Sequence, residues 1–126
     1  MMAEMGAQVI KIESSARLDI TRRPHPMYGK PAPSFEQVNA NKMSATLNLK
    51  EPRAIELALE LAKVSDLVLQ CFRPGVFDRL GFGYEALRKD KPDIILVSLS
   101  SNGQSGPESN YAGYAPLVAA IGGLGN

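Results

Sequence analysis

Arg73 and Arg79 bracket the segment Arg-Pro-Gly-Val-Phe-Asp-Arg, directly behind the apolar run Asp66-Leu-Val-Leu. Arginine suits phosphate chemistry, because its planar fork donates paired, charge-assisted hydrogen bonds to oxyanions. Lys50 adds a third cation at an earlier strand-to-helix junction. In a parallel sheet such junctions on one edge are neighbours in space, and ligands bind at the carboxyl edge. Spacing alone leaves two readings open: the three cations converge on one polyanion, or they are solvated charges at helix ends. Cys71 ends an apolar run and reads first as a small hydrophobe. A reactive thiolate there would need Arg73 to lower its pKa. His25 is the only histidine and lies between prolines. A zinc site or a catalytic triad needs companions that the sequence lacks.

Two glycine patterns invite chemistry and do not carry it. Gly81-Phe-Gly83-Tyr-Glu-Ala86 has the letters of a dinucleotide fingerprint, but that motif needs a strand immediately before it. A short helix is expected there instead, so the glycines read as a helix stop and restart. Gly103-Gln-Ser105-Gly106 falls one residue short of a nucleophile elbow, with Pro107 where a glycine belongs.

The elements that would position these residues follow from periodicity. Gln8-Val-Ile-Lys-Ile-Glu13 and Ala45-Thr-Leu-Asn-Leu-Lys50 read as strands, as do 66–71 and the apolar Asp93-Ile-Ile-Leu-Val-Ser-Leu99, the clearest buried strand in the sequence. Pro52 opens a helix at the first helical position. Ile55, Ala58, Leu59 and Ala62 recur at helical spacing on its buried face. Short helices are expected near 76–80 and 84–90, and an apolar one from about Pro116. Residues 14–38 read as a long loop and Ser100–Pro107 as a polar one. Strand, helix, strand, helix, strand gives an α/β fold with a Rossmann-like parallel sheet, flanking helices and right-handed crossovers.

Composition narrows the function classes. A chain of 126 residues with net charge +1 and no clustered Lys/Arg tract argues against bulk nucleic-acid binding, so a phosphate site must be local. One cysteine forms no internal disulfide, which suits a reducing, cytoplasmic setting. No apolar stretch reaches the roughly 18 residues that span a bilayer. The opening Met1-Met2-Ala-Glu-Met reads as a last helical turn capped by Gly6, with no strand before it. The far end stops at Gly122–Asn126, in or just after a helix. The expectation is an incomplete domain: residues 1–126 as part of a longer α/β unit.

These segments resemble the class III CoA-transferase family, the CaiB/BaiF type, over nearly the whole chain. Met5-Gly-Ala-Gln-Val-Ile-Lys-Ile-Glu13 is similar to the family's "LGAxVIKVE", and Asn41-Lys-Met-Ser-Ala-Thr-Leu-Asn-Leu-Lys50 to "NRGKRSxxLDLK". Phe72-Arg-Pro-Gly-Val-Phe-Asp-Arg-Leu-Gly-Phe-Gly-Tyr-Glu-Ala-Leu87 resembles "FRPGVxxRLGLGYEAL". Pro92–Ser100 with Gly103–Pro107 is similar to "PRLIYxSISGFGQTGP", and Gly113-Tyr114 to "PGYD".

The resemblance implies an enzyme that moves CoA between an acyl-CoA and a carboxylic acid through an enzyme-bound anhydride. It also implies a large Rossmann-like domain, a small domain and an interlocked homodimer. Coenzyme A or acyl-CoA is then substrate, with no covalent cofactor, no metal, no nucleic acid and no membrane partner. Carried over residue by residue, the CoA contacts are Leu47, Asn48, Leu49 and Lys50, then Cys71, Phe72, Arg73 and Arg79, then Ala112, Gly113, Tyr114 and Ala115. Lys50 and Arg79 are the expected phosphate partners, and Phe72 and Leu47 the adenine or pantetheine path. Cys71 stands where the family has Asn, and Ala115 where "PGYD" has Asp. Tyr114 replaces the histidine of related acyl-CoA racemases, against epimerisation. No aspartate of the chain aligns with the family's nucleophile, which is expected beyond residue 126. The first strand and the small domain are likewise expected to be missing, and the chain alone to be inactive. The alternatives are a non-catalytic or degenerate CoA-binding family member, and an unrelated nucleotide-binding α/β module.

Overall fold

The computed structural model describes residues 1–22 and 34–124, excepting the side chains of 115–117. The chain forms two compact units, Met1–Ala54 and residues 55–126. In the first, a 3-10 turn at Ala3–Met5 ends at Gly6 (φ 98°), whose N–H donates to the Ala3 carbonyl. That left-handed backbone is strained for any residue with a Cβ, so glycine closes the turn as expected. Strand β1 (Val9–Glu13) follows, then a 3-10 turn at Ile20–Arg22, helix α1 (Ser34–Asn39) and strand β2 (Lys42–Thr46). β1 and β2 pair in parallel, Val9 beside Lys42 through Glu13 beside Thr46.

Side chains alternate across a strand, so this register sorts them into two faces. Ile10, Ile12 and Met43 share one face and are partly exposed; Lys11, Glu13 and Ser44 share the other.

Helix α2 (Pro52–Lys63) opens at Pro52, as the sequence predicts. Ala54, Ala58 and Ala62 are its buried row, with Ile55 and Leu59 half-buried beside them. Ser65 Oγ donates to the Leu61 carbonyl at 2.7 Å, beside the Val64 N–H that the same carbonyl accepts at 3.3 Å, which caps the helix end.

In the second unit β3 (Leu67–Gln70) crosses through α3 (Val76–Arg79) and α4 (Tyr84–Asp90) to β4 (Ile95–Ser98). The pair is parallel, Leu67 beside Ile95 and Gln70 beside Ser98. Phe77, Phe82, Leu87 and Ile94 supply its buried apolar side chains. Lys63 Nζ meets Asp90 at 3.1 Å, tying the ends of α2 and α4. Helix α5 (Ala115–Ile121) completes the order.

Three expectations are corrected and one is met. The strand expected over 45–50 lies at Lys42–Thr46, because Asn48 turns the chain: its Oδ1 accepts the Lys50 N–H and its carbonyl accepts the Glu51 N–H. The loop expected over 14–38 contains the 3-10 turn and α1; residues 23–33, with His25, lie outside the described residues. The α/β fold with parallel strands and flanking helices is as expected, with one parallel pair in each unit. β4 is half-buried rather than buried, with Ile95 55% exposed. The face holding Val68, Gln70 and Leu96 is the more covered one, while Leu69, Ile95 and Leu99 on the other face stay partly open.

Candidate functional site

The carboxyl edge of β3 and β4 gathers most of the candidate residues. With Gln70 paired to Ser98, the turn Cys71–Gly75 and the loop from Leu99 leave the same edge. The Gln70 carbonyl accepts the Leu99 N–H at 2.9 Å, extending the ladder to that point. Gln70 Oε1 accepts the Phe72 N–H at 2.6 Å. The Phe72 ring stacks at 5.9 Å on Phe77, which stacks at 5.1 Å on Phe82. Phe77 and Phe82 are buried and Phe72 is 39% exposed, so a rigid aromatic stack presents its last ring to solvent.

The turn then reverses at Gly75 (φ 72°), and the Arg73 carbonyl accepts the Val76 N–H at 3.1 Å. The Arg79 guanidinium folds back over Gly75: a Cβ at 75 would lie 3.2 Å from Arg79 Nη1. Arg73 and Arg79 are exposed, and neither is held in an ion pair among the described residues. Cys71 is an exposed free thiol, not the buried strand end that its apolar context suggests.

The later loop folds onto the exit of β4. Ser101 Oγ donates to the Gly113 carbonyl and Asn102 Nδ2 to the Tyr111 carbonyl, each at 3.4 Å. Gly113 approaches Ser101 so closely that a Cβ at 113 would overlap the serine side chain. Ala112 is half-buried, Tyr114 is 69% exposed ahead of α5, and Ala115 opens that helix, its side chain outside the described part. Cys71, Phe72, Arg73, Arg79 and the 112–114 loop thus belong to one unit. Leu47, Asn48, Leu49 and Lys50 belong to the other, on the turn that leaves the carboxyl edge of β2 rather than on the strand. The Leu47 N–H donates to the Glu13 carbonyl at 2.9 Å there.

The glycine patterns resolve as helix punctuation and loop. Gly81 (φ 87°) ends α3 with its N–H on the Asp78 carbonyl, and α4 restarts at Tyr84. Asp78 Oδ1 would stand 2.5 Å from a Cβ at 83. Helix α3, not a strand, precedes the pattern, so no dinucleotide cradle forms. Gly103–Gly106 lies in a loop, with no nucleophile elbow.

An ionic cluster that the sequence reading missed sits on the charged face of β1. The Glu13 carboxylate accepts from Arg22 Nε at 2.9 Å, Arg22 Nη2 at 2.8 Å and Lys11 Nζ at 2.9 Å. Lys11 Nζ also reaches Asp19 at 2.5 Å, and Asp19 Oδ1 accepts from the Thr21 N–H and hydroxyl at 2.9 and 2.6 Å. The Phe35 ring of α1 lies 3.8 Å from the Arg22 guanidinium and 4.8 Å from Lys11 Nζ. Arg22 and then Lys11 hold the Glu13 carboxyl down at about 2, and Lys11 and Thr21 hold Asp19 well below the usual carboxylate range. Burial pulls the Lys11 ammonium down, but Asp19 and Glu13 more than offset this and leave it raised. The alternation of Lys11 and Glu13 with two isoleucines was the available signal. Their partners Asp19 and Arg22 carry no periodicity that would reveal them.

The remaining aspartates are placed for structure. Asp66 and Asp93 precede β3 and β4, at the edge opposite the candidate site, where Lys91 meets both. Asp90 pairs with Lys63, and Asp78 lies against Gly83.

Comparison with known proteins matches residues 1–126 to the family model described as CoA-transferase family III. An acetyl-CoA:oxalate CoA-transferase from Acetobacter aceti is 41% identical over 98% of the chain and 32% of its own length. A human succinyl-CoA:glutarate CoA-transferase is 36% identical over 98% and 28%. A crystal structure of a CaiB/BaiF family protein from Brucella suis superposes with a TM-score of 0.86 at 32% identity, over 97% of the chain and 33% of that protein. The chain therefore spans about a third of the length of the relatives it matches.

Proposed function

The chain belongs to CoA-transferase family III, and from that premise we propose that it holds CoA for transfer between an acyl-CoA and a carboxylic acid. The observation that carries this reading is the β3 turn. Two arginines without ion pairs among the described residues and one exposed ring of a buried aromatic stack stand on the carboxyl edge. Arg79 and Lys50 are each proposed as phosphate partners. Phe72 and Leu47 are proposed to line the adenine or pantetheine path, and Cys71, Arg73, Asn48, Leu49 and 112–115 to complete the contacts. The relatives' names include oxalate and glutarate as acceptors. A small dicarboxylate is accordingly the proposed acceptor class.

In the proposed reaction a carboxylate oxygen attacks the thioester carbon, the C–O bond forms, and the C–S bond breaks to release CoA thiolate. The thiolate then attacks the enzyme-side carbonyl of the resulting anhydride, forming an enzyme–CoA thioester and releasing the donor carboxylate. The acceptor carboxylate attacks that thioester to give a second anhydride and CoA thiolate, which attacks the acceptor carbonyl, yields the new acyl-CoA and frees the enzyme carboxylate. Residues 1–126 are proposed to supply the CoA contacts and not the attacking carboxylate: Asp19 and Asp90 are ion-paired, and Asp66 and Asp93 lie at the opposite edge. Two copies are the proposed assembly, and the cytoplasm the proposed setting, which an exposed free thiol suits.

Calorimetry with CoA tests the reading. Arg79→Ala and Lys50→Ala should each weaken binding roughly tenfold or more, as charge-assisted hydrogen bonds do, and less so in high salt. Unchanged affinity in both variants would sink the phosphate assignment. A thermal shift with NAD but none with CoA would favour a general nucleotide module instead.

A further inference from the structure

Gln70 is 5% exposed and is the single polar residue buried as a whole among the described residues. A buried amide is unfavourable unless it is hydrogen-bonded, so its partners identify its work. Its Oε1 takes the Phe72 N–H at 2.6 Å, while its carbonyl takes the Leu99 N–H at 2.9 Å. One residue therefore fixes the first step of both loops that leave this edge.

We propose that Gln70 is a positioning residue for CoA, whose side chain holds the Cys71–Arg73 turn in its binding geometry before the ligand arrives. This deepens the CoA-holding role proposed above and rests on it. The physical reason is pre-organisation. With its N–H anchored two residues back, Phe72 keeps its ring on Phe77 and its open face outward, and Arg73 follows from a fixed backbone. Without that acceptor the Phe72 N–H turns to water, and binding must order the turn at the moment of contact.

The test uses CoA as probe, calorimetry for affinity, and the Phe72 amide in nitrogen-15 NMR as local reporter. Unliganded wild type should show this amide shifted downfield and protected from exchange. Gln70→Met keeps the length and removes the acceptor; it should lose the amide signature and bind CoA about tenfold more weakly at every salt concentration. Gln70→Glu keeps an acceptor; it should retain the amide signature and lose affinity only at low salt, where its added charge repels phosphate. The inference is overturned if Gln70→Met frees the amide while the CoA dissociation constant stays within twofold. It is equally overturned if the wild-type amide exchanges freely, a measurement that needs no variant to fold. A wild-type chain that binds no CoA overturns the CoA-holding role itself, and this inference with it.

Discussion

At the scale of single residues, charge and contact distance decide outcomes. Glu13 is depressed from its ordinary 4.5 to about 2 by Arg22 and Lys11. A carboxyl lowered on folding stabilises the fold fully above its unfolded pKa and loses that contribution as pH falls through the folded value. Urea midpoints followed by circular dichroism should therefore fall between about pH 5 and pH 2. Glu13→Gln should be less stable at neutral pH and flatter over that window; an unchanged acid slope would show that the cluster does not govern acid stability. Gly113 makes a steric case. Alanine there must displace Ser101, so Gly113→Ala should destabilise by about 1–3 kcal/mol. Much of that penalty should vanish in a Ser101→Gly background, which a double-mutant cycle of thermal melts can read.

At the scale of elements, α2 was legible because its apolar spacing and Pro52 agree on one helix, and burial of Ala58 and Ala62 follows. Ala58→Leu should overpack that row and destabilise by about 1–3 kcal/mol in urea titrations. Leu57→Ala, at a position 40% exposed, should stay well below that; equal penalties would mean the buried face is misassigned. β2 was displaced in the sequence reading because alternation of apolar residues says nothing about where a side-chain amide ends the strand, as Asn48 does. Helix α1 was hidden for another reason. Its six residues are too few for propensity to announce, and Phe35 lies against two cations that are distant in sequence. Arg73 and Arg79 were legible from the turn that carries them. Gln70 was not, since a strand's last polar residue looks the same whether its amide meets water or backbone.

At the scale of the whole molecule, partly open apolar faces recur in both units: Ile10 and Met43 on one pair, Leu69, Ile95 and Leu99 on the other. Exposed strand faces of this kind favour association. Analytical ultracentrifugation of the purified chain should find species heavier than the 13.6 kDa monomer; a single monodisperse monomer would contradict this. The same material should show no transfer from succinyl-CoA to oxalate or glutarate, and turnover that scales with purified chain would refute the proposed absence of the attacking carboxylate. None of the described helices is long and apolar enough to cross a membrane. The alternation of faces has an evolutionary corollary. In β1 the ionic and apolar side chains interleave at every second residue, so the strand can drift by conservative substitution but not by loss of one codon. Deleting Ile12 would invert the preceding residues relative to Glu13, sending Ile10 to the face of the Arg22 guanidinium and Lys11 away from it. In a deep library of variants, β1 should accept exchanges among Ile, Val and Leu while purging almost every in-frame deletion, and the loop from Gly103 to Gly106 should show the reverse.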